Sequence, residues 1–240
     1  MGWHVFEKAK ELGCKVMLNG QGGDEVLLGY ERYYASYLFS LSFWNFIKQS
    51  REISLNSKLS VKDVVLYYFY FTSKTVRIKR LRKRSYLKKE IKSSFDFKTI
   101  KESAQSFRDI YKMQLFEIGT LQLPHLLRYE DRNSMRHSIE TRLPFLDYRF
   151  VEFSVSLQIN YKIARGWTKY ILRKAVEDVL PDSITWRKDK KGFEAPEKTW
   201  MGGTTEMMKK AIQSSKLLNE LVDTDRLLVD FDAIPFRRRW

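Results

Sequence analysis

The chain has 240 residues, and its 43% hydrophobic and 15% aromatic content supplies a sizeable core, which excludes an intrinsically disordered protein. The longest run of apolar and aromatic residues, residues 64–71, is too short to span a bilayer, so no membrane partner is expected. A single cysteine, Cys14, excludes an internal disulfide and predicts a cytoplasmic protein in which its side chain packs in the core.

The formal net charge is +15, and most of it lies in one segment. Residues 74–92 contain ten lysines and arginines and one acid, Glu90, so this basic segment alone carries +9. Such a segment is compatible with nucleic-acid binding, which would weaken steeply with added salt. Basic runs are more often solvent-exposed helix faces, so nucleic acid is not expected as a partner.

The first half of the chain predicts one short strand among many helices. Residues 3–12 have apolar positions at helical spacing, and Gly13 is placed to end that helix. Residues 15–18 follow as a short buried strand. Residues 24–122 then show a strongly aromatic helical pattern, which is typical of helices packed in a core.

The second half is also predicted to be mainly helical. Asp147 is placed to cap a helix over residues 148–157, after a bend at Leu143-Pro144. Residues 168–180 have one apolar face and predict a further helix, which Pro181 ends.

A glycine-rich stretch, N-G-Q-G-G at residues 19–23, follows the predicted strand and precedes Asp24. Gly20, Gly22 and Gly23 allow the backbone to approach a ligand closely, and successive amides in such a turn bind phosphate. Asp24 then lies where a magnesium ion on that phosphate needs an oxygen ligand. The alternative is an ordinary turn in which Asp24 only stabilises the first turn of a helix.

Two further groups of charges leave alternatives open. Residues 128–147 interleave acids and arginines with apolar positions, which indicates either the polar wall of a cavity or a structural lattice of ion pairs. Lys188, Lys190 and Lys191 precede Gly192 in a loop that either reaches a polyanion or is simply solvated.

Three blocks resemble the synthetase domain of glutamine-dependent asparagine synthetases. They are NGQGGDEVLLGY at residues 19–30, RYEDRNSMRHSIETRLPFLD at residues 128–147, and GWTKYILRKAVEDVLPDSITWRKDKKGF at residues 166–193. The blocks occur in family order, and the middle one is highly specific. The resemblance implies a mainly α fold with a remnant of an α/β parallel sheet, which is an N-type ATP-pyrophosphatase domain truncated at its N-terminus.

The resemblance also implies an activity. ATP and Mg²⁺ convert aspartate to a β-aspartyl-adenylate, and ammonia derived from glutamine then attacks it to give asparagine. Asn19 and Gly20 match positions that contact ATP, Asp24 matches a magnesium ligand, and Lys190 matches a catalytic loop lysine. The wall around the aspartate is implied to include Arg132, Glu140 and Arg142.

Two features depart from the family pattern. Gln21 replaces the usual catalytic glutamate, and a glutamine can hydrogen-bond but cannot act as a base near neutral pH. The family's S-G-G-x-D-S pyrophosphate loop does not occur in the 240 residues. We therefore expect residues 1–200 to be the C-terminal part of a synthetase domain, and residues 201–240 a helical tail. Such a chain is expected to be inactive without an N-terminal half in cis or in trans.

Two other functions remain open at this point. Gln21 motivates a relative that adenylates, and amidates or cyclises, a carboxylate other than aspartate. A basic binding module without enzymatic activity, which would use residues 74–92, belongs to a different class.

Overall fold

The computed structural model describes residues 2–188 and 202–233. Contacts within the chain divide it into two compact units, residues 1–77 with 99–191 and residues 78–98 with 192–240. The described residues are mostly helical and include one small parallel sheet, which confirms the mainly α prediction. The predicted boundary at residue 200 falls outside the described residues and stays a prediction.

The first ten helices are α1 (Gly2–Glu11), α2 (Gly23–Val26), α3 (Tyr34–Phe39), α4 (Phe43–Asn56), α5 (Val61–Thr72), α6 (Lys74–Arg84), α7 (Lys89–Ser94), α8 (Lys98–Ser106), α9 (Ile110–Gly119) and α10 (Gln122–Arg136). The remaining described helices are α11 (Tyr148–Ser156), α12 (Ile159–Lys162), α13 (Tyr170–Ala175), α14 (Asp182–Thr185), α15 (Thr205–Ser214), α16 (Lys216–Leu221) and α17 (Thr224–Asp230). The strands are β1 (Val16–Leu18), β2 (Glu140–Arg142), β3 (Ile163–Ala164) and β4 (Trp167–Thr168). No described helix is long and apolar enough to cross a membrane.

Strands β1 and β2 form the parallel sheet, with Met17 opposite Thr141. Met17 packs on a small apolar cluster that includes Ile139. The prediction that residues 15–18 form a buried strand is correct for residues 16–18 and wrong for the burial, since the side chains of Val16 and Leu18 are exposed. Among the described residues β1 pairs with β2 only, so its other edge carries no strand.

The main core of the first unit lies among α3, α4, α5 and α9. Helix α3 packs on both α4 and α5. The predicted aromatic core is confirmed for Tyr33, Tyr34 and Tyr37, which are buried, whereas Phe43 and Trp44 at the start of α4 are exposed. The buried cluster consists of Leu28, Tyr33, Tyr34, Ala35, Tyr37, Leu38, Ile53, Leu59, Val64, Phe107, Ile110, Met113 and Ile163.

Strands β3 and β4 form a hairpin whose turn residues, Arg165 and Gly166, both have positive φ. This turn matches the twist of two short antiparallel strands. The Tyr34 hydroxyl donates to the Gly166 carbonyl at 2.7 Å, which ties the hairpin to α3. The helix predicted over residues 168–180 is therefore shorter than expected: Thr168 pairs in the hairpin, and α13 ends at Ala175.

Two predicted helix ends are confirmed, and the predicted burial of Cys14 is wrong. Gly13 has φ 76° after the end of α1, and the Asp147 carboxylate accepts from the Arg149 amide at the start of α11. Cys14 is exposed rather than in the core, because it lies in the short connection between α1 and β1.

The second unit has its own contacts. Leu87 forms an antiparallel bridge with Val222, and the Tyr86 hydroxyl donates to Asp230 Oδ2 at 3.1 Å. Phe231 is buried, and the Lys209 ammonium lies 5.9 Å from the centre of its ring.

Candidate functional site

The glycine loop, residues 19–23, leaves the carboxyl end of β1. The Asn19 amide donates to the Arg142 carbonyl at 2.9 Å, and the Gln21 amide donates to Asn19 Oδ1 at 3.2 Å. The Asn19 side chain donates to Glu130 Oε1 of α10 at 2.5 Å. Ligands of open α/β sheets bind beyond the carboxyl ends of the strands, which is where this loop lies.

The segment after β2 forms the floor of the glycine loop. Gly22 has φ 87°, and a Cβ atom built on it would lie 2.2 Å from Leu146 Cδ2. A Cβ atom built on Gly23 would lie 3.2 Å from the Phe145 ring. Leu146 and Phe145 belong to a 3₁₀ turn, Pro144–Leu146, so the first and middle blocks of the sequence pack directly on each other.

The packing of Gly22 gives a first prediction, for folding stability. Replacing Gly22 with alanine is expected to lower the free energy of unfolding by about 3 kcal/mol, because the new methyl group overlaps Leu146 and the backbone conformation disfavours a side chain. Gly20→Ala is the matched control: nothing lies within 4 Å of its Cβ position, so we expect a change within about 0.5 kcal/mol. Urea unfolding measures both, and equal losses would contradict the proposed packing.

The other predicted substrate residues lie on β2 and α10. Arg142 Nε donates to Glu140 Oε1 at 2.9 Å, and both side chains are exposed. Arg142 lies opposite Leu18, at the end of β1 from which the glycine loop leaves, whereas Glu140 lies opposite Val16 at the start of that strand. Arg132 is exposed on α10. Lys190, the predicted loop lysine, lies outside the described residues.

Asp24 is the first acid of α2, and its carboxylate is paired with a lysine. Lys169 Nζ lies 2.7 Å from Asp24 Oδ1, with side chains 27% and 19% exposed. The lysine reaches Asp24 across Gly29: a Cβ atom at residue 29 would lie 2.1 Å from Asp24 Oδ1 and 2.2 Å from Lys169 Cε. A side chain at residue 29 would therefore stand in the way of this contact.

Asp24 and Lys169 line a cavity of about 680 Å³, which we call the cationic cleft. Its walls include six cationic side chains and two carboxylates, and five aromatic rings surround them. The cations are Arg32, Lys58, Lys169, Arg173, Arg187 and Lys188; the acids are Asp24 and Glu31; the rings are Tyr30, Tyr34, Tyr67, Phe71 and Trp167. The excess of positive charge in a concave site favours an anionic ligand.

Arg32 is held on the wall of the cleft from behind. Its guanidinium donates to Glu117 Oε2 of α9 at 2.8 Å and stacks 4.2 Å from the centre of the Tyr30 ring. The Tyr30 hydroxyl donates to Glu25 Oε1 at 2.9 Å. Burial raises the pKa of the Glu25 carboxyl. These contacts link α9 to the helix that carries Asp24.

A second contact from α9 reaches the same helix. The buried Gln114 side chain donates to the Val26 carbonyl at 2.5 Å, and its oxygen accepts from Lys162 Nζ at 2.8 Å. Because an ammonium can only donate, Lys162 fixes the orientation of the Gln114 amide. Lys162 is fully buried, and this desolvation lowers the pKa of its ammonium to about 8.

Burial of Lys162 predicts a pH dependence of stability. Between pH 8 and the ordinary lysine pKa of 10.5, the unfolded chain holds one more proton than the folded chain, so stability rises with pH. We expect a rise of up to about 1.4 kcal/mol per pH unit from pH 8 to 9. Nearer pH 10, tyrosines such as Tyr33, whose pKa burial raises, ionise in the unfolded chain before the folded one and oppose the rise, so the test stays below pH 9.

Urea unfolding at several pH values tests this expectation. Lys162→Met is expected to flatten the rise, whereas Lys112→Met, which removes an exposed lysine, is expected to keep it. A rise that persists unchanged in Lys162→Met would assign the effect to other groups.

Several of these residues were not predicted from the sequence to belong to the site. Gln114 and Glu117 are polar residues in α9, which is mostly apolar apart from them and the exposed Lys112, and that pattern signals buried polar contacts. Lys169 lies in the third block, but its contact with Asp24 depends on the hairpin and on a positive φ, which the sequence does not display.

The residues present fit a magnesium ion held mainly by substrate phosphates. Asp24 supplies one carboxylate, and within residues 2–188 and 202–233 no group of three or more His, Cys, Asp or Glu side chains forms a complete metal site. Mg²⁺ is commonly bound by one or two carboxylates together with phosphates and water. The amides of Gly20 and Gly22 donate to no described residue, which suits a phosphate ligand.

Comparison with known proteins gives several relatives. Glutamine-hydrolyzing asparagine synthetase 1 of Bacillus subtilis (strain 168) is 35% identical over 120 residues, which are 50% of this chain and 19% of the relative. Its asparagine synthetase 3 is 34% identical over 137 residues, which are 55% of this chain and 22% of the relative. Amidase chry2 of Gibberella zeae is 25% identical over 236 residues, which are 83% of this chain and 35% of the relative.

The chain thus covers about a fifth to a third of the length of these relatives. No solved structure gives a significant match. The model of the asparagine synthase family matches residues 1–232, which include the glycine loop, its floor and the described walls of the cationic cleft. On this match the chain belongs to the asparagine synthase family.

Proposed function

We propose that the chain is part of a cytoplasmic ATP-dependent ligase that converts aspartate to asparagine through a β-aspartyl-adenylate, with ammonia derived from glutamine. The observation that carries this proposal is the placement of Asp24. Its carboxylate faces a cavity with an excess of cations, directly after a glycine loop at the carboxyl end of a parallel strand.

In this proposal the aspartate carboxylate attacks the α-phosphorus of ATP and releases pyrophosphate. Asn19, Gly20, Gly22 and Gly23 contact the nucleotide, and Asp24 holds Mg²⁺, which neutralises phosphate charge. Lys190 stabilises negative charge that develops in both steps, an effect worth about 3–4 kcal/mol for a single well-placed donor. Arg132, Glu140 and Arg142 form the aspartate end of the site.

Gln21 orients reactants by hydrogen bonds in this proposal and does not accept a proton. Ammonia attacks the acyl carbon of the adenylate, and AMP leaves with the electron pair of the broken bond. The proton released by the attacking nitrogen therefore passes to a group other than Gln21.

We further propose that the chain forms the C-terminal part of an N-type ATP-pyrophosphatase domain, with residues 1–200 in the domain and residues 201–240 as a tail. An N-terminal half, in cis or in trans, would supply the S-G-G-x-D-S loop and the ammonia source. The exposed side chains of Val16 and Leu18, and the edge of β1 that no described strand covers, support a partner at the sheet.

Exchange of labelled pyrophosphate into ATP tests the proposal. We expect no aspartate-dependent exchange by the chain alone, and exchange when the N-terminal half of an asparagine synthetase is added. Lys190→Ala is expected to reduce the restored exchange. Restored exchange that does not require aspartate would contradict the proposed substrate.

A second candidate reaction is amide formation or cyclisation at another carboxylate. Gln21 favours it, because the chain lacks the family's usual glutamate, and a relative that aligns with 83% of the chain is an amidase by name. A panel of carboxylic acids in the same exchange assay separates the two reactions. Aspartate as the sole active acid would exclude this second candidate.

A further inference from the structure

We propose that Lys169 is a positioning residue for Asp24, which it holds facing the cationic cleft so that magnesium pyrophosphate binds there. This inference rests on the proposed function, because it takes Asp24 as a magnesium ligand. It assigns a role to a lysine that the sequence did not single out.

The first support is the geometry of the ion pair. Lys169 Nζ is 2.7 Å from Asp24 Oδ1, and about three quarters or more of each side chain is shielded from solvent. A partly buried pair of this kind is screened less by water and salt than an exposed surface pair. The pair joins residues 145 positions apart, so it fixes α2 to the segment between β4 and α13.

The second support is the backbone at Lys169. Its φ of 52° and ψ of 34° lie in the left-handed region, which favours glycine or asparagine. The hairpin imposes this conformation from one side, since Thr168 pairs with Ile163. From the other side, the Arg173 amide donates to the Lys169 carbonyl at 3.0 Å. A lysine in this conformation indicates that its side chain has a role that glycine or asparagine could not fill.

The third support is the space above residue 29. The Lys169 side chain and the Asp24 carboxylate both occupy positions that a Cβ atom at Gly29 would meet at about 2 Å. The Gly29 amide also donates to the Asp24 carbonyl at 2.7 Å, which keeps residue 29 close to α2. The absence of a side chain at residue 29 therefore serves the contact between Asp24 and Lys169.

Charge explains why a carboxylate here needs a fixed partner. Arg32 and Arg187 are other cations on the walls of the cleft, so Asp24 shares the cleft with several positive groups. A lysine that contacts Oδ1 defines one orientation before the ligand arrives. Such preorganisation of a metal ligand by its neighbour typically changes metal affinity by about 10-fold to 100-fold.

The test measures pyrophosphate binding to the 240-residue chain by tryptophan fluorescence, once with Mg²⁺ and once with EDTA. Trp167 lines the cleft, and Trp167→Phe identifies its share of the signal. The variants are Lys169→Met, Asp24→Asn and the double variant. Lys174→Met, on the helix that follows Lys169, is the control, since Lys174 pairs with Glu177 and does not line the cleft.

We expect Lys169→Met to weaken magnesium-dependent pyrophosphate binding about tenfold. The double variant is expected to bind no more weakly than Asp24→Asn alone, because Lys169 acts through Asp24. In EDTA, Lys169→Met is expected to weaken binding much less than with Mg²⁺, because only the loss of one of six cleft cations then acts. If Lys169→Met does not fold, Lys169→Gly serves instead, since glycine accepts the same backbone conformation.

Four results would overturn the inference. Lys169→Met could bind magnesium pyrophosphate as Lys174→Met does, which would leave the proposed function intact. Additive losses in the double variant, or a loss in EDTA as large as that with Mg²⁺, would show that Lys169 acts on the phosphates directly and not through Asp24. Absence of magnesium-dependent binding by the wild-type chain, both alone and supplied with an N-terminal half, would refute the magnesium role of Asp24 in the proposed function and this inference with it.

Discussion

Asp24→Asn is expected to lower aspartate-dependent pyrophosphate exchange by on the order of 100-fold or more, in the chain supplied with an N-terminal half. Asparagine keeps the shape of the side chain but removes the charge that a hard divalent cation requires. The cleft already carries four more cations than acids, so removing an acid would by itself favour an anionic ligand. The expected loss of exchange is therefore due to the metal and not to overall charge. Losses of this size are typical when one fixed electrostatic contact to a transition state is removed.

The measurement needs a control for charge and one for folding. Asp178→Asn removes an exposed carboxylate that does not line the cleft, and we expect it to keep full exchange. The unfolding midpoint of Asp24→Asn shows whether the variant is folded. Exchange by folded Asp24→Asn within a factor of three of wild type would remove Asp24 from the magnesium site.

The parts of the site that the sequence predicts are those encoded locally. An apolar run followed by glycines and an acid predicts a strand, a tight turn and an acid at the same sheet edge, and β1, the glycine loop and Asp24 have this arrangement. Asp147 likewise caps the helix that follows it, because the signal requires only neighbouring residues. Local chemistry of this kind is readable without knowledge of the rest of the fold.

Features that depend on distant parts of the chain were not predictable. Lys169 meets Asp24 where the chain leaves the β3–β4 hairpin, with a positive φ at the lysine. Leu28 also has a positive φ, at the end of α2, where a helix more commonly places glycine; its burial in the core compensates for that conformation. Burial of a residue such as Val16 depends on what covers the sheet, so its exposure could not be read from its apolar character.

The contacts that α9 makes in the core were not predictable for the same reason. Gln114 and Glu117 are one helical turn apart, so both project towards the segment of residues 25–32. The sequence identifies them as polar residues in an apolar helix but not their partners, which lie more than 80 positions away. Because these contacts hold the helix that carries Asp24 and the arginine that lines the cleft, they connect core stability with the geometry of the site.

The pair of Arg32 and Glu117 gives the second large expected effect. Arg32→Met is expected to lower the free energy of unfolding by about 3–5 kcal/mol, because the Glu117 carboxylate, only 1% exposed, then loses its ion-pair partner. The double variant Arg32→Met with Glu117→Met is expected to recover most of this loss, since an apolar pair of similar volume often replaces a buried ion pair at little cost. Lys8→Met, which breaks an exposed pair with Glu11, is the control and is expected to cost less than about 1 kcal/mol.

The same set of variants separates stability from charge at the cleft. A double-mutant cycle in urea gives the coupling energy between Arg32 and Glu117, and a coupling close to zero would contradict a shielded ion pair. The double variant restores folding but lacks one of the six cations of the cleft. If the cleft binds pyrophosphate, this folded variant is expected to bind it more weakly than wild type, because the attraction depends on the charge of Arg32 and on the position in which Glu117 holds that charge. Lys8→Met is expected to bind pyrophosphate as well as wild type.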